Sequence, residues 1–166
     1  MTSIAQAPSS KAQLLHRPSA TGPAFWGPGD HYTFLVTGEE SGGAYFAMEA
    51  LVPPGGGPPP HIHSREDETF YVLEGEIEFV LGEETIVAGP GDFVSVPRGS
   101  VHCFRNSGAE TARLVLTFTP AGIEKWFEEI FERAPNAVTP ADVPDNLEEV
   151  AARFVATSSK YGIEFV

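Results

Sequence analysis

Three histidines and a glutamate fall in two short blocks rich in glycine and proline. The first block runs from Gly55 to Gly75 and holds His61, His63 and Glu68; the second runs from Gly91 to Asn106 and holds Pro97, Gly99 and His102. Imidazole with carboxylate is a donor set for a divalent transition metal. Such a set leaves coordination positions free for water, dioxygen or a chelating substrate, which separates a catalytic site from a closed structural one.

Side chains on a strand alternate between faces, so residues two apart point the same way. His61 and His63 therefore share a face and Ile62 takes the other. The polar run 64–67 reads as a turn or strand break, after which 68–73 alternates again. If Glu68 joins the histidine face, Phe70 and Val72 share it. Gly75 then reads as the turn of a hairpin into 76–82. His102 follows a turn at Pro97 and Gly99; parity puts Phe104 on its face and turns Cys103 away. Pro58, Pro59 and Pro60 hold the approach to His61 extended.

These blocks resemble the two signature motifs of the cupin superfamily. The first motif, G-x5-H-x-H-x4-E-x6-G, is matched at Gly55, His61, His63, Glu68 and Gly75; the second, G-x5-P-x-G-x2-H-x3-N, at Gly91, Pro97, Gly99, His102 and Asn106. The intervening stretch, 76–90, has the length found in compact single-domain members. The resemblance implies an all-β fold, a small antiparallel jelly-roll barrel with one divalent metal inside, bound by His61, His63, Glu68 and His102. It also implies a homodimer, the usual state among cupins. The metal's identity stays open among iron, manganese, nickel, cobalt, copper and zinc, all of which accept imidazole with carboxylate.

The 166 residues suffice for one domain with a core. With 17 Gly and 15 Pro against 12 Phe, 4 Tyr and 2 Trp, the composition suits short strands and many turns around an apolar interior. The net charge of −13 argues against nucleic acid and anionic membrane surfaces as partners. It does not by itself indicate a cationic ligand. Cys103 is the one cysteine, so no intrachain disulfide can form. The N-terminus lacks a basic region followed by an apolar stretch, and no apolar run approaches a membrane span. The expectation is a cytoplasmic protein with a small-molecule partner.

Three segments are expected: a flexible N-terminal tail (1–22), a barrel (23–120) and a C-terminal helical cap packed on it (121–166). Phe25 and Trp26 are the expected docking point of the tail. Strands are predicted over 32–37, 44–52, 61–63, 69–73, 77–81, 84–87, 93–96, 101–104 and 112–119. Beyond Pro120 the period changes. Ile123, Trp126, Phe127, Ile130 and Phe131 form one helical stripe, read as packing rather than ligand contact; Leu147, Val150, Ala151, Phe154 and Val155 form a second, with Asp145 as its N-cap. Residues 161–166 are short and apolar enough to pair as a strand.

Phe70 and Phe104 are the predicted substrate wall, which suits an apolar, aromatic ligand. Glu68 is the predicted base as well as a metal ligand, on the expectation that an apolar pocket raises its pKa. The stretch 52–63, the run 70–75 and the C-terminal residues 161–165 extend the resemblance to the quercetin-dioxygenase-like cupins. In that group the metal binds a flavonol-type enolate, the glutamate takes the proton and dioxygen cleaves the ring. The resemblance thus implies a dioxygenase acting on a small aromatic or enediol substrate. The alternatives are a non-redox metal-dependent isomerase or lyase and a non-catalytic small-molecule binder, because the fold hosts many activities. Arg65, Arg98 and Arg105 are the few cations near the motifs for a phosphate or carboxylate substrate.

Overall fold

The computed structural model describes residues 14–137 and 144–166. The strands are β1 (Ala24–Trp26), β2 (His31–Val36), β3 (Phe46–Val52), β4 (His61–His63), β5 (Asp67–Glu74), β6 (Ile77–Leu81), β7 (Glu84–Ala88), β8 (Phe93–Val96), β9 (His102–Asn106), β10 (Ala112–Thr119), β11 (Glu132–Arg133) and β12 (Ile163–Phe165). The helices are α1 (Glu124–Ile130) and α2 (Leu147–Thr157). The strands form two sheets, ordered β11-β1-β2-β3-β10-β5-β8 and β12-β4-β9-β6-β7.

Alternation sets which face each strand buries. On β10, Ala112, Leu114, Leu116 and Phe118 are buried and Arg113, Val115 and Thr117 half-buried. β10 pairs along its whole length with β3, from Ala112 opposite Val52 to Phe118 opposite Phe46. The inward faces of the two sheets then share one core, in which Phe34, Phe46, Phe70, Ile77, Leu114, Phe118 and Ile163 are fully buried. The predicted strands are present within a few residues of their bounds; β1 and β11 were not predicted.

The hairpin at Gly75 forms as expected. Its φ is +80°, and a Cβ there would lie 2.8 Å from Ala112 Cα, so both the turn and the neighbouring strand require glycine. Asn106, the last position of the second motif, is a staple. Its Nδ2 donates to Val52 O and Glu110 O, both at 2.8 Å, and its Oδ1 accepts from Gly108 N at 2.8 Å.

All five residues of the first helical stripe are buried. Glu124 fixes the start of α1, accepting from Gly38 N at 2.9 Å and from Gly122 N at 2.7 Å. The second stripe is narrower than expected. Val150 is fully buried and Phe154 stacks on Trp126 at 4.3 Å, but Val155 is 56% exposed, because the helix turns it past the contact face. Asp145 is not the N-cap: α2 starts after Asn146, with no side-chain cap bond, and Asp145 sits in the preceding turn. After α2 the chain returns as β12 along β4, with Ile163 opposite His63 and Phe165 opposite His61.

Of the expected tail, residues 1–13 lie outside the described residues. Arg17 Nε donates to Leu35 O at 2.8 Å. Phe25 and Trp26 belong to β1, paired with β2 and β11. Among the described residues, no helix is long and apolar enough to cross a membrane.

Candidate metal centre

β4 and β9 are neighbours in the five-stranded sheet and place His61 directly opposite His102. His63 lies two residues along the same face. Glu68 comes from the facing sheet, on β5, where it pairs with Val96 and Phe118. The four side chains meet between the sheets, each no more than 6% exposed. One donor atom from each lies within 4.8 Å of the others.

The spacing of these atoms tests whether a metal fits. His61 Nε2 is 3.1 Å from His63 Nε2, His102 Nε2 is 3.0 Å from Glu68 Oε2, and His63 Nε2 is 3.3 Å from the same oxygen. Metal–ligand bonds of about 2.0–2.2 Å put neighbouring donors about 3.0–3.5 Å apart. The tautomers fit as well. His61 Nδ1 faces Pro59 O at 2.8 Å and His102 Nδ1 faces Ser100 O at 3.0 Å. A carbonyl only accepts, so in the neutral imidazole Nδ1 carries the proton and donates, and Nε2 keeps its lone pair towards the centre; His102 Nε2 donates to Glu68 Oε2 only in the protonated ring.

His63 has no such carbonyl. Among the described residues its buried Nδ1 has no partner, and Glu66 Oε2, 3.8 Å away, is equally unpartnered. Glu66 is 3% exposed. In sequence it falls in the polar run 64–67, where its parity with Glu68 is the signal that it faces inward.

Burial pushes the His61 imidazole down to about 4, with the charges of His102 and His63 adding to the effect. Burial alone would raise Glu68, yet its carboxyl is held below its usual value by the hydrogen bond from His102 and the charges of the three imidazoles. The expectation of a raised Glu68 pKa is thereby corrected: the pocket is apolar, but the three imidazoles that face the carboxylate, His102 first, outweigh the effect of burial. Burial lowers His102, and its contacts with Glu68 outweigh that and raise it.

Around the cluster lies a cavity of about 40 Å³ lined by Tyr32, Met48, Phe104, Leu116, Phe118 and the helical aromatics Trp126, Phe127, Phe131 and Phe154. Phe104 is therefore at the site. Phe70 is not among its lining residues; it is fully buried behind Phe104, at 5.4 Å, and against Phe79, at 4.8 Å. The helical aromatics do line the site, which corrects their reading as packing alone. Their signal was the unusual density of rings on one stripe. Among the described residues, no Lys or Arg lines the cavity: Arg98 pairs with Asp67 and Arg65 donates to Lys160 O. A larger cleft of about 480 Å³ lies on the outer side of β4, against Ile62, Ser64 and Phe165, and is not lined by any of the four candidate ligands. Cys103 is half-buried and lines a different surface with Phe79 and Phe93.

A family model for the cupin domain matches residues 48–118. Quercetin 2,3-dioxygenase of Aspergillus japonicus is 30% identical over 122 residues, covering 69% of this chain and 35% of that enzyme. The chain thus spans about a third of that relative's length. The polyketide synthase protein CurC of Streptomyces cyaneus is 30% identical over 107 residues, covering 64% of this chain and 70% of that protein. Among solved structures, an RmlC-like cupin from Shewanella frigidimarina superposes with a TM-score of 0.58 at 21% identity, covering 68% of this chain and 96% of that one. The chain belongs to the cupin family.

Proposed function

We propose that this cupin is a metal-dependent dioxygenase acting on a small aromatic or enediol substrate of the flavonol kind. The observation that carries the reading is the buried His61, His63, Glu68 and His102 cluster inside a wall of aromatic rings, together with the likeness to quercetin 2,3-dioxygenase. His61, His63, Glu68 and His102 would hold one divalent transition metal. When bound, such an ion supplies Lewis-acid and redox chemistry between an enediol and dioxygen.

The remaining roles fall to the chain's own residues. Pro59 and Ser100 carbonyls orient His61 and His102. Glu68 Oε2 sits at the centre of the cluster, 3.0 Å from His102. It is held ionised, so it is ready to accept a substrate hydroxyl proton without first losing one of its own. The aromatic wall excludes water and offers ring faces to a flat substrate. Among the described residues no cation lines the cavity, which disfavours an isomerase or lyase acting on phosphates or carboxylates.

The test is oxygen consumption by metal-loaded protein with flavonols, wild type beside Glu68→Gln. General bases contribute on the order of 100- to 10,000-fold, and Glu68→Gln is expected to lose turnover in that range while keeping its fold. No oxygen uptake with any metal, or equal rates in the two proteins, would leave the binder or non-redox reading in its place. We also infer a homodimer, supported by the exposed Ile86, Val87 and Phe93 on β7 and β8, strands that end their sheets.

A further inference from the structure

The three imidazoles of the cluster are not held alike. Each turns Nε2 towards the centre: His61 Nε2 and His63 Nε2 are 3.1 Å apart, and Glu68 Oε2 is 3.3 Å from His63 Nε2 and 3.0 Å from His102 Nε2. A neutral imidazole that offers Nε2 to a metal carries its one proton on Nδ1. That N–H needs an acceptor, because a buried donor left unpaired is costly. Pro59 O serves His61 and Ser100 O serves His102. Among the described residues, no atom within hydrogen-bonding distance serves His63, whose side chain is 5% exposed.

An acceptor with the complementary need lies beside it. Glu66 Oε2 is buried, has no partner among the described residues, and is 3.8 Å from His63 Nδ1. The turn that leaves β4 delivers it there. Gly99 N donates to His63 O at 2.8 Å, and Ser64 N and Oγ both donate to Gly162 O at 2.8 Å. Arg65 Nη2 donates to Lys160 O at 3.2 Å. With the exposed Ser64 and Arg65 tied to the C-terminal turn, Glu66 folds back against the histidine three residues earlier. The Arg98 guanidinium does not claim Glu66: its Nε and Nη2 donate to Asp67 at 3.1 and 2.9 Å.

We propose that Glu66 is a positioning residue of the metal centre: its Oε2 accepts the hydrogen bond from His63 Nδ1 and fixes that ring with Nε2 towards the ion. The inference rests on reading the four side chains as metal ligands, and not on the reaction proposed for them. An N–H···O bond is about 2.9 Å long, so closing the pair takes a shift of about 0.9 Å. Neither atom has another partner to give up. Two carbonyls and one carboxylate then orient the three rings, and the carboxylate makes His63 the most basic of them. Glu66 and Glu68 together bring two carboxylates to the centre, which balance a divalent ion held by three neutral imidazoles.

The experiment measures zinc affinity by competition with a chelator, and the imidazole N–H resonances of isotope-labelled, zinc-loaded protein, in wild type, Glu66→Gln and Glu66→Leu. In wild type the His63 Nδ1 proton should exchange slowly and lie further downfield than those of His61 and His102, because a carboxylate accepts more strongly than a carbonyl. Glu66→Leu should lose the His63 signal alone and weaken zinc about 10- to 100-fold. Glu66→Gln keeps the shape and an accepting oxygen. It should retain the signal, moved upfield, and bind zinc with an affinity between the other two, so it reports even if Glu66→Leu folds poorly. A His63 signal unmoved in Glu66→Gln, or wild-type signal and affinity in Glu66→Leu, would overturn the proposal. A wild type that takes up no zinc would remove the metal reading and this inference with it. A failed flavonol assay on protein that binds zinc would leave both standing, so the two failures remain distinguishable.

Discussion

Asp30→Asn should stabilise the protein, and the gain should depend on pH in a way that only the buried carboxyl explains. The substitution keeps the shape and leaves an oxygen to accept from Tyr32, 3.0 Å away in the wild type. Burial raises the Asp30 pKa from 3.8 to about 7. Below pH 3.8 the carboxyl is protonated in both folded and unfolded chains, and it costs nothing relative to Asn. Between 3.8 and about 7 the unfolded chain ionises and the folded one does not, so wild-type stability falls as pH rises. Above about 7 the loss is complete, and at about 1.36 kcal/mol per pH unit it amounts to about 4 kcal/mol. This is a large share of a total that is about 5–15 kcal/mol for a domain. Urea denaturation of both proteins from pH 5 to 8 measures the difference. The advantage of Asp30→Asn should climb with pH and level off above neutrality. A difference that is flat across this range, or that shrinks with rising pH, would refute the assignment of a destabilised buried carboxyl.

Two further outcomes follow from the site and the surface. Zinc should raise the melting temperature of the wild type and not of His61→Ala/His102→Ala. Metal binding needs neutral imidazoles and so depresses their folded-state pKa below the free value of about 6.5. The zinc-dependent shift should begin to weaken already somewhat above that pH, where protons compete first at His102, whose pKa is raised, and should fade further as pH falls below it; a shift unchanged down to pH 5 would contradict the assignment. For the homodimer, sedimentation equilibrium should give twice the chain mass, and Phe93→Ser should shift the protein towards monomer; a wild type that stays monomeric at high concentration would remove that reading.

Most of the barrel was legible because its strands alternate. On β10, and on β3 from Met48 onward, buried and half-buried residues alternate with a period of two, and the large apolar side chains fall mostly on the buried parity. β12 was legible as a short apolar segment able to pair as a strand, although its partner β4 lies about a hundred residues earlier, a pairing that only the closed fold supplies. What the sequence did not mark were elements defined by their neighbours. β11 has two residues and exists because β1 lies beside it. The start of α2 was misplaced by an Asp145 that looks like a cap yet sits one residue before Asn146, itself without a side-chain cap bond. Capping propensity ranks residue types and does not choose between adjacent candidates.

The site divides along a similar line. The four candidate ligands were legible because a metal demands particular atoms, and strand parity together with fixed glycines and prolines sets where those atoms go. The cavity around them was not. Phe70 and Phe104 have the same inward parity and the same chemistry, but Phe104 borders the cluster and Phe70 is sealed behind it. Parity assigns a face; how deep along that face the packing closes depends on every other ring in the core. Trp126, Phe127 and Phe131 satisfy a packing stripe and line the cavity at once, so a periodic pattern cannot separate the two roles. Asp30 and Glu66 are the instructive exceptions. Each is an acidic residue in a loop or turn that reads as solvent-facing, and each is buried with an oxygen left unpaired. Acidic side chains are almost never fully buried unless paired. The unpaired ones therefore mark where this fold accepts a cost, and both lie within one layer of side chains from the candidate metal centre: Glu66 against His63, and Asp30 against the Tyr32 that lines its cavity.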